Sequence, residues 1–147
     1  MAVSLQNTHP AQITTTTLLQ AALRLLQEEG FPDCEVSVVL TDDDTVHELN
    51  LRYRGFDKPT DVLSFAQLDQ IEGAPSLPNV GELPLLLGDV IISVDTAARQ
   101  AQAHHISLEK ELELLIVHGI LHLLGYEDDT EEGAELMRER EFAILNR

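Results

Sequence analysis

Two histidines stand four residues apart in the run from His118 through His122 and Gly125 to Asp129. Residues at that spacing share one face of a helix, so both imidazoles face a single point. Gly125 stops the helix, and the chain beyond it turns back with Glu127, Asp128 and Asp129, each able to offer an oxygen. Three protein ligands with a fourth position free describe a catalytic zinc site better than a structural one. The bland alternative is a pair of core histidines bonded to carbonyls or carboxylates. The pairing, followed by Gly-Tyr and three acids, favours the metal. Which residue takes the third place is open from spacing alone.

The residue after the first histidine sets the chemistry. Zinc proteases of the His-Glu-x-x-His type carry their general base there. This chain has Gly119, which holds no proton acceptor and lets another backbone come close. Peptide hydrolysis by the usual route is disfavoured.

The second chemical feature is a basic cluster. The 147 residues carry a formal net charge of −17 and only nine Lys and Arg, which excludes a long cationic track for nucleic acid. Three of the nine, Arg52, Arg54 and Lys58, fall within seven residues. An acidic body with one basic spot suits local capture of an anion such as a phosphate.

The elements that must position these groups follow from periodicity. Ala2–Gln6 reads as a short strand, and 15–29 as a helix with Leu18, Leu19, Ala22, Leu25 and Leu26 inward. Residues 34–40 alternate as a strand. Asp42, Asp43 and Asp44 open a helix whose buried stripe is Val46, Leu49 and Tyr53. Strands follow at 61–67 and 86–93, the latter broken at Gly88-Asp89; residues 68–87 form an irregular loop. Helices are expected at 95–105, at 108–124 with Ser107 as N-cap, and from about 130 to 145 behind an Asp129/Glu132 capping box. The order implies a mixed α/β domain over 1–147, with about five helices on a roughly four-stranded sheet.

The remaining features are quieter. A hydrophobic share of 44% and a charged share of 24% fit a soluble globular protein. No apolar run is long enough for a bilayer and no signal-peptide pattern opens the chain, so a cytoplasmic location is expected. Cys34 reads as a small core residue. His104 and His105 suit a helix end, and His9 and His47 ordinary surface. Asp61 and Asp89 have either a ligand-orienting or a turn and strand-edge role.

Three separated segments resemble one family, the YbeY-type rRNA maturation factors, metal-dependent single-strand endoribonucleases. The metal motif matches from His118 through Tyr126. A second signature is Leu49-Asn50-x-x-Tyr53-Arg54-Gly55 with Lys58-Pro59-Thr60-Asp61-Val62-Leu63-Ser64-Phe65, and a third is Leu87-Gly88-Asp89-Val90-x-Ile92-Ser93. Met137 keeps the register of the last helix. The resemblance implies a fold with the metal helix central, His118 and His122 as ligands, and Arg54 as a functional arginine beside Lys58. It implies single-stranded rRNA and the small ribosomal subunit, with one of its proteins, as partners, and no membrane. A zinc-dependent hydrolase of peptides or other substrates and a non-catalytic ribosome-assembly factor are the alternatives.

The chain departs from the family pattern at one place: Asp128 stands where the third histidine is written. Aspartate is a legitimate zinc ligand and a harder donor, so the resemblance implies a Zn²⁺ site with added tolerance for Mn²⁺ or Mg²⁺. Asp128 is the expected third ligand, with Asp129, Glu127 or water as the alternatives.

Overall fold

The computed structural model describes residues 3–66 and 86–145. The expected ends of two strands, Ala2 and Gln67, lie outside the described residues. So does the 68–87 loop, except for Leu86 and Leu87, which are already strand.

Four strands, β1 (Val3–Asn7), β2 (Glu35–Thr41), β3 (Val62–Ala66) and β4 (Leu86–Ser93), form one sheet in the order β1-β2-β4-β3. The first three in that order are parallel, and β3 pairs antiparallel on the outer side of β4. Helices α1 (Thr16–Glu28), α2 (Asp43–Arg54), α3 (Val94–His104), α4 (Leu108–Leu123) and α5 (Glu131–Leu145) complete the fold. The mixed α/β reading holds.

Helix α4 is the axis of the molecule because it is apolar nearly all round. It touches β3 and β4 on the sheet and α1, α3 and α5 beside it. Leu112, Ile116, Ile120 and Leu121 on it are fully buried. Each such side chain contributes up to about 1.5–3 kcal/mol relative to exposure. Ser107 caps this helix, accepting from the Lys110 N–H at 3.1 Å.

Gly119 explains how α4 seats on the sheet. A Cβ there would stand 2.6 Å from Val90 Cγ1 and 3.1 Å from Ser64 Oγ. The close neighbours are thus side chains of β4 and β3, not the backbone that the glycine suggested. The Ser64 hydroxyl donates to the Gly119 carbonyl at 2.9 Å, which pins the helix to the edge strand.

Strand β4 runs unbroken through Gly88-Asp89, contrary to expectation. The disturbance is a register shift: Glu35 faces Leu86 but Val36 faces Gly88. One extra residue on β4 absorbs the irregularity as a bulge, so the ladder continues. Gly88 sits at φ +153°, where a Cβ would strike the Phe65 carbonyl at 2.2 Å.

The buried stripe of α2 also differs. Val46 and Asn50 are buried, Leu49 is half-buried, and Tyr53 is 63% exposed. Tyr53 reaches β3, where its ring meets Phe65 edge-on at 5.7 Å, and among the described residues no strand lies beyond β3. At its other end α2 is capped by Asp42, which accepts from the Thr45 N–H at 2.8 Å. Helix α5 is capped by Thr130 rather than Asp129: the Gly133 N–H donates to Thr130 Oγ1 at 3.0 Å. A capping box needs Glu or Gln at the third helical position, and Gly133 occupies it.

A polar knot joins α2 to α3. Asp43 accepts from Ser93 Oγ at 2.5 Å, Thr96 Oγ1 at 2.7 Å and Arg99 Nη2 at 2.9 Å. Asp95 accepts from the Asp43 N–H at 3.0 Å and bonds His9 Nε2 at 2.9 Å. His9 is therefore a tether from the chain after β1 to α3, not an ordinary surface residue. His47 likewise has a partner, Asp57 Oδ1 at 2.6 Å.

Candidate metal centre

The last turns of α4 place His118 and His122 side by side, their Nε2 atoms 3.2 Å apart. After Gly125, at φ +104°, the chain folds back and brings Asp128 Oδ2 to 3.5 Å from His118 Nε2 and 3.7 Å from His122 Nε2. A tetrahedral ion with ligands near 2.0–2.1 Å sets its donors about 3.3 Å apart. The three atoms lie close to that spacing.

The other ring nitrogens decide what these atoms present. His118 Nδ1 lies 2.9 Å from the Glu141 carboxylate on α5, and His122 Nδ1 lies 3.0 Å from the Tyr126 carbonyl. Both partners are acceptors, so both Nδ1 atoms donate and each neutral ring carries a lone pair on Nε2. With both rings neutral, two lone pairs and a carboxylate oxygen converge on one point. A cation resolves that convergence, and carboxylate and carbonyl partners behind the imidazoles are the usual means of orienting metal ligands. The donor set fits a divalent ion.

Without an ion, His118 holds a proton more tightly than an ordinary histidine. The Glu141 hydrogen bond is the main cause, burial opposes it, and the charges of Glu141, Asp128 and Asp61 add to it.

The orienting groups are themselves fixed. The Tyr126 hydroxyl donates to Glu29 at the C-terminus of α1, and Arg140 on α5 pairs with the same carboxylate. One nearly buried acid thereby ties the segment carrying the Tyr126 carbonyl to the helix carrying Glu141.

The cluster lies in a cleft of about 510 Å³ whose walls include Tyr53, Arg54, Asp61, Ser64, Phe65 and Glu127. Arg54 is in the last turn of α2, and the left-handed Gly55 that follows, at φ +78°, ends the helix there. No ion pair engages Arg54 among the described residues, and its guanidinium lies by the Phe56 ring. Lys58 does not line this cleft; it borders an adjoining cavity that also includes Arg54 and Phe56.

The structure thus brings His118, His122, Asp128 and Arg54 together and leaves Lys58 one step aside. Of the alternatives for third ligand, Glu127 lines the cleft, while Asp128 is the acid grouped with the histidines. Asp61 faces the cleft but bonds the Val62 N–H at 2.8 Å and Gln100 Nε2 at 3.3 Å, not a histidine. Asp89 borders a different cavity with Leu49 and Tyr53. His104 bonds the buried Glu111 at 3.1 Å, and His105 takes a left-handed cap conformation. Glu141 escaped sequence reasoning. Its signal was an acid in the inward stripe Met137, Glu141, Ile144, where a buried charge requires a partner.

Fold and cleft together define an α/β domain with an open two-histidine, one-carboxylate cluster suited to a metal ion. The chain belongs to the endoribonuclease YbeY family, whose sequence model matches residues 3–147. It is 48% identical over 134 residues to the endoribonuclease YbeY of Pelotomaculum thermopropionicum, covering 90% of this chain and 85% of that one. The Moorella thermoacetica protein of the same name is 49% identical over 132 residues, covering 90% and 83%. The solution structure of TM1509 from Thermotoga maritima shares the fold at a TM-score of 0.62, with 24% identity across 98% of this chain and 89% of that one. Among the described residues no helix is long and apolar enough to cross a membrane.

Proposed function

We propose that this protein is a metal-dependent endoribonuclease that cuts single-stranded RNA, acting in small-subunit rRNA maturation and ribosome quality control. One observation carries the reading: Arg54, which no ion pair engages among the described residues, lines the same cleft as the ligand atoms of His118, His122 and Asp128. His118, His122 and Asp128 hold the ion, with Zn²⁺ favoured and Mn²⁺ or Mg²⁺ tolerated through the carboxylate. Glu141 and the Tyr126 carbonyl keep both imidazoles in the binding tautomer. Arg54 clamps the scissile phosphate and stabilises charge developing on its oxygens. When bound, a divalent ion supplies Lewis acidity toward a phosphoryl oxygen and a means of ionising water near neutral pH.

The charge pattern supports a short single strand over a duplex. A net charge of −17 repels a phosphate track, while one arginine-lined cleft accepts a few nucleotides. The same acidic surface suits docking on a basic protein of the small subunit, in the cytoplasm. Gly119 counts against peptide hydrolysis, since it offers no general base after the first histidine.

The test compares Arg54→Ala and His118→Ala with the parent protein on single-stranded RNA, each variant confirmed folded. Both lose cleavage, and Arg54→Ala keeps its metal. Full activity in either overturns the mechanism.

A further inference from the structure

Phe56 is 51% exposed on this acidic surface. Two of the three clustered cations lie near its ring: the Arg54 guanidinium carbon is 6.0 Å from the ring centroid and Lys58 Nζ 5.8 Å. Those distances are the outer limit of a cation–π contact, and half of the residue's surface stays open to solvent.

The backbone beneath Phe56 is held rather than loose. Gly55 turns it at φ +78°, and the Phe56 N–H donates to the Asn50 carbonyl at 3.3 Å. Asn50 is only 3% exposed, and its side-chain Nδ2 donates to the Lys58 carbonyl at 2.8 Å. A buried asparagine thus braces both ends of the segment that displays the ring. The cavity beside it, about 190 Å³, is bordered by Arg54, Phe56 and Lys58, and Arg54 also lines the metal cleft.

We infer that Phe56 is a stacking platform for one nucleobase of the bound strand, the nucleotide next to the one at the metal, with Lys58 on its phosphate. A base offers a flat π face to the ring, and its phosphate meets the adjacent cation; this pairing of aromatic and basic groups is how single strands are held without reading sequence. The platform explains why Lys58 lies outside the cleft: it serves the neighbouring nucleotide. The inference rests on the RNA-cleaving activity proposed above.

The experiment measures steady-state cleavage of a single-stranded RNA by the metal-loaded protein and by Phe56→Ala, Phe56→Leu and Phe56→Trp. Stacking predicts a KM raised about 5- to 100-fold in the Ala and Leu variants, near-parent KM in Trp, and a much smaller effect on kcat. Abasic nucleotides scanned along the RNA should locate one position where loss of the base raises KM for the parent but not for Phe56→Ala. An unchanged KM in Phe56→Ala overturns the platform, as does a Leu variant equal to the parent. A parent protein inert toward RNA removes the activity itself and the platform with it.

Discussion

His118 Nδ1 and Glu141 Oε2 lie 2.9 Å apart, although 23 residues and the Gly125 reversal separate them along the chain. The last helix therefore determines which way the first histidine of the motif faces. Replacing Glu141 by Ala should weaken Zn²⁺ binding about 10- to 100-fold, and by Gln less, because the amide oxygen still accepts the Nδ1 proton. Competition with a chromophoric chelator measures this without reference to turnover. Equal affinity in all three proteins would leave Glu141 without an orienting role.

Asp128 sets metal preference in this scheme. Asp128→His should keep tight Zn²⁺ binding while losing affinity for Mn²⁺ relative to the parent, since imidazole is the softer donor. Asp128→Ala should weaken both. Metal content after dialysis against equimolar Zn²⁺ and Mn²⁺ gives the comparison.

Gly119→Ala is expected to destabilise by about 1–3 kcal/mol, despite the helix propensity of alanine, because Val90 must move in a filled core. Urea unfolding measures the loss. Adding Val90→Ala should make the Gly119→Ala step nearly neutral, which separates crowding from any effect on the metal.

The α2–α3 knot gives a pH dependence whose sign is fixed. Burial works to raise the Asp43 pKa, but hydrogen bonds from Ser93, Thr96 and Arg99 and the charge of Arg99 outweigh it, so the net shift is downward. Asp95 is shifted down as well, chiefly by the Asp43 N–H and by His9. A carboxyl with a depressed folded pKa stabilises above its unfolded value, near 4, and that stability fades as pH falls through the folded value. Asp43→Asn should therefore lose about 1.5–3 kcal/mol at pH 7 and show a flatter stability curve below about pH 4. Chemical denaturation at several pH values tests both.

Much of this was legible in the chain because local rules carried it. Ser107 announced its cap, Asp42, Asp43 and Asp44 announced the start of α2, and the near-complete apolarity of 112–124 announced a buried helix. The two histidines were readable because a helix fixes the direction of residues four apart. What failed depended on neighbours distant in sequence. Tyr53 fits the inward stripe of α2, but it reaches β3, beyond which no strand lies among the described residues. Gly88 looks like a strand breaker until β2 supplies a partner that tolerates a bulge. His9 looks exposed until Asp95 arrives from another helix. Lys58 clusters with Arg54 in sequence, yet it borders the adjoining cavity beside Phe56 and not the metal cleft.

The tether through Glu29 has a consequence for synthesis. Translation delivers Glu29 first, then both histidines and Tyr126, and only afterwards Arg140 and Glu141. A nascent chain thus displays the His-x-x-x-His pair before it has the carboxylate that aims His118 or the arginine that locks α5 to α1. The arrangement of His118 is completed when α5 docks, so the proposed cutting centre would mature together with the fold and not ahead of it, while the emerging chain is still beside ribosomal RNA.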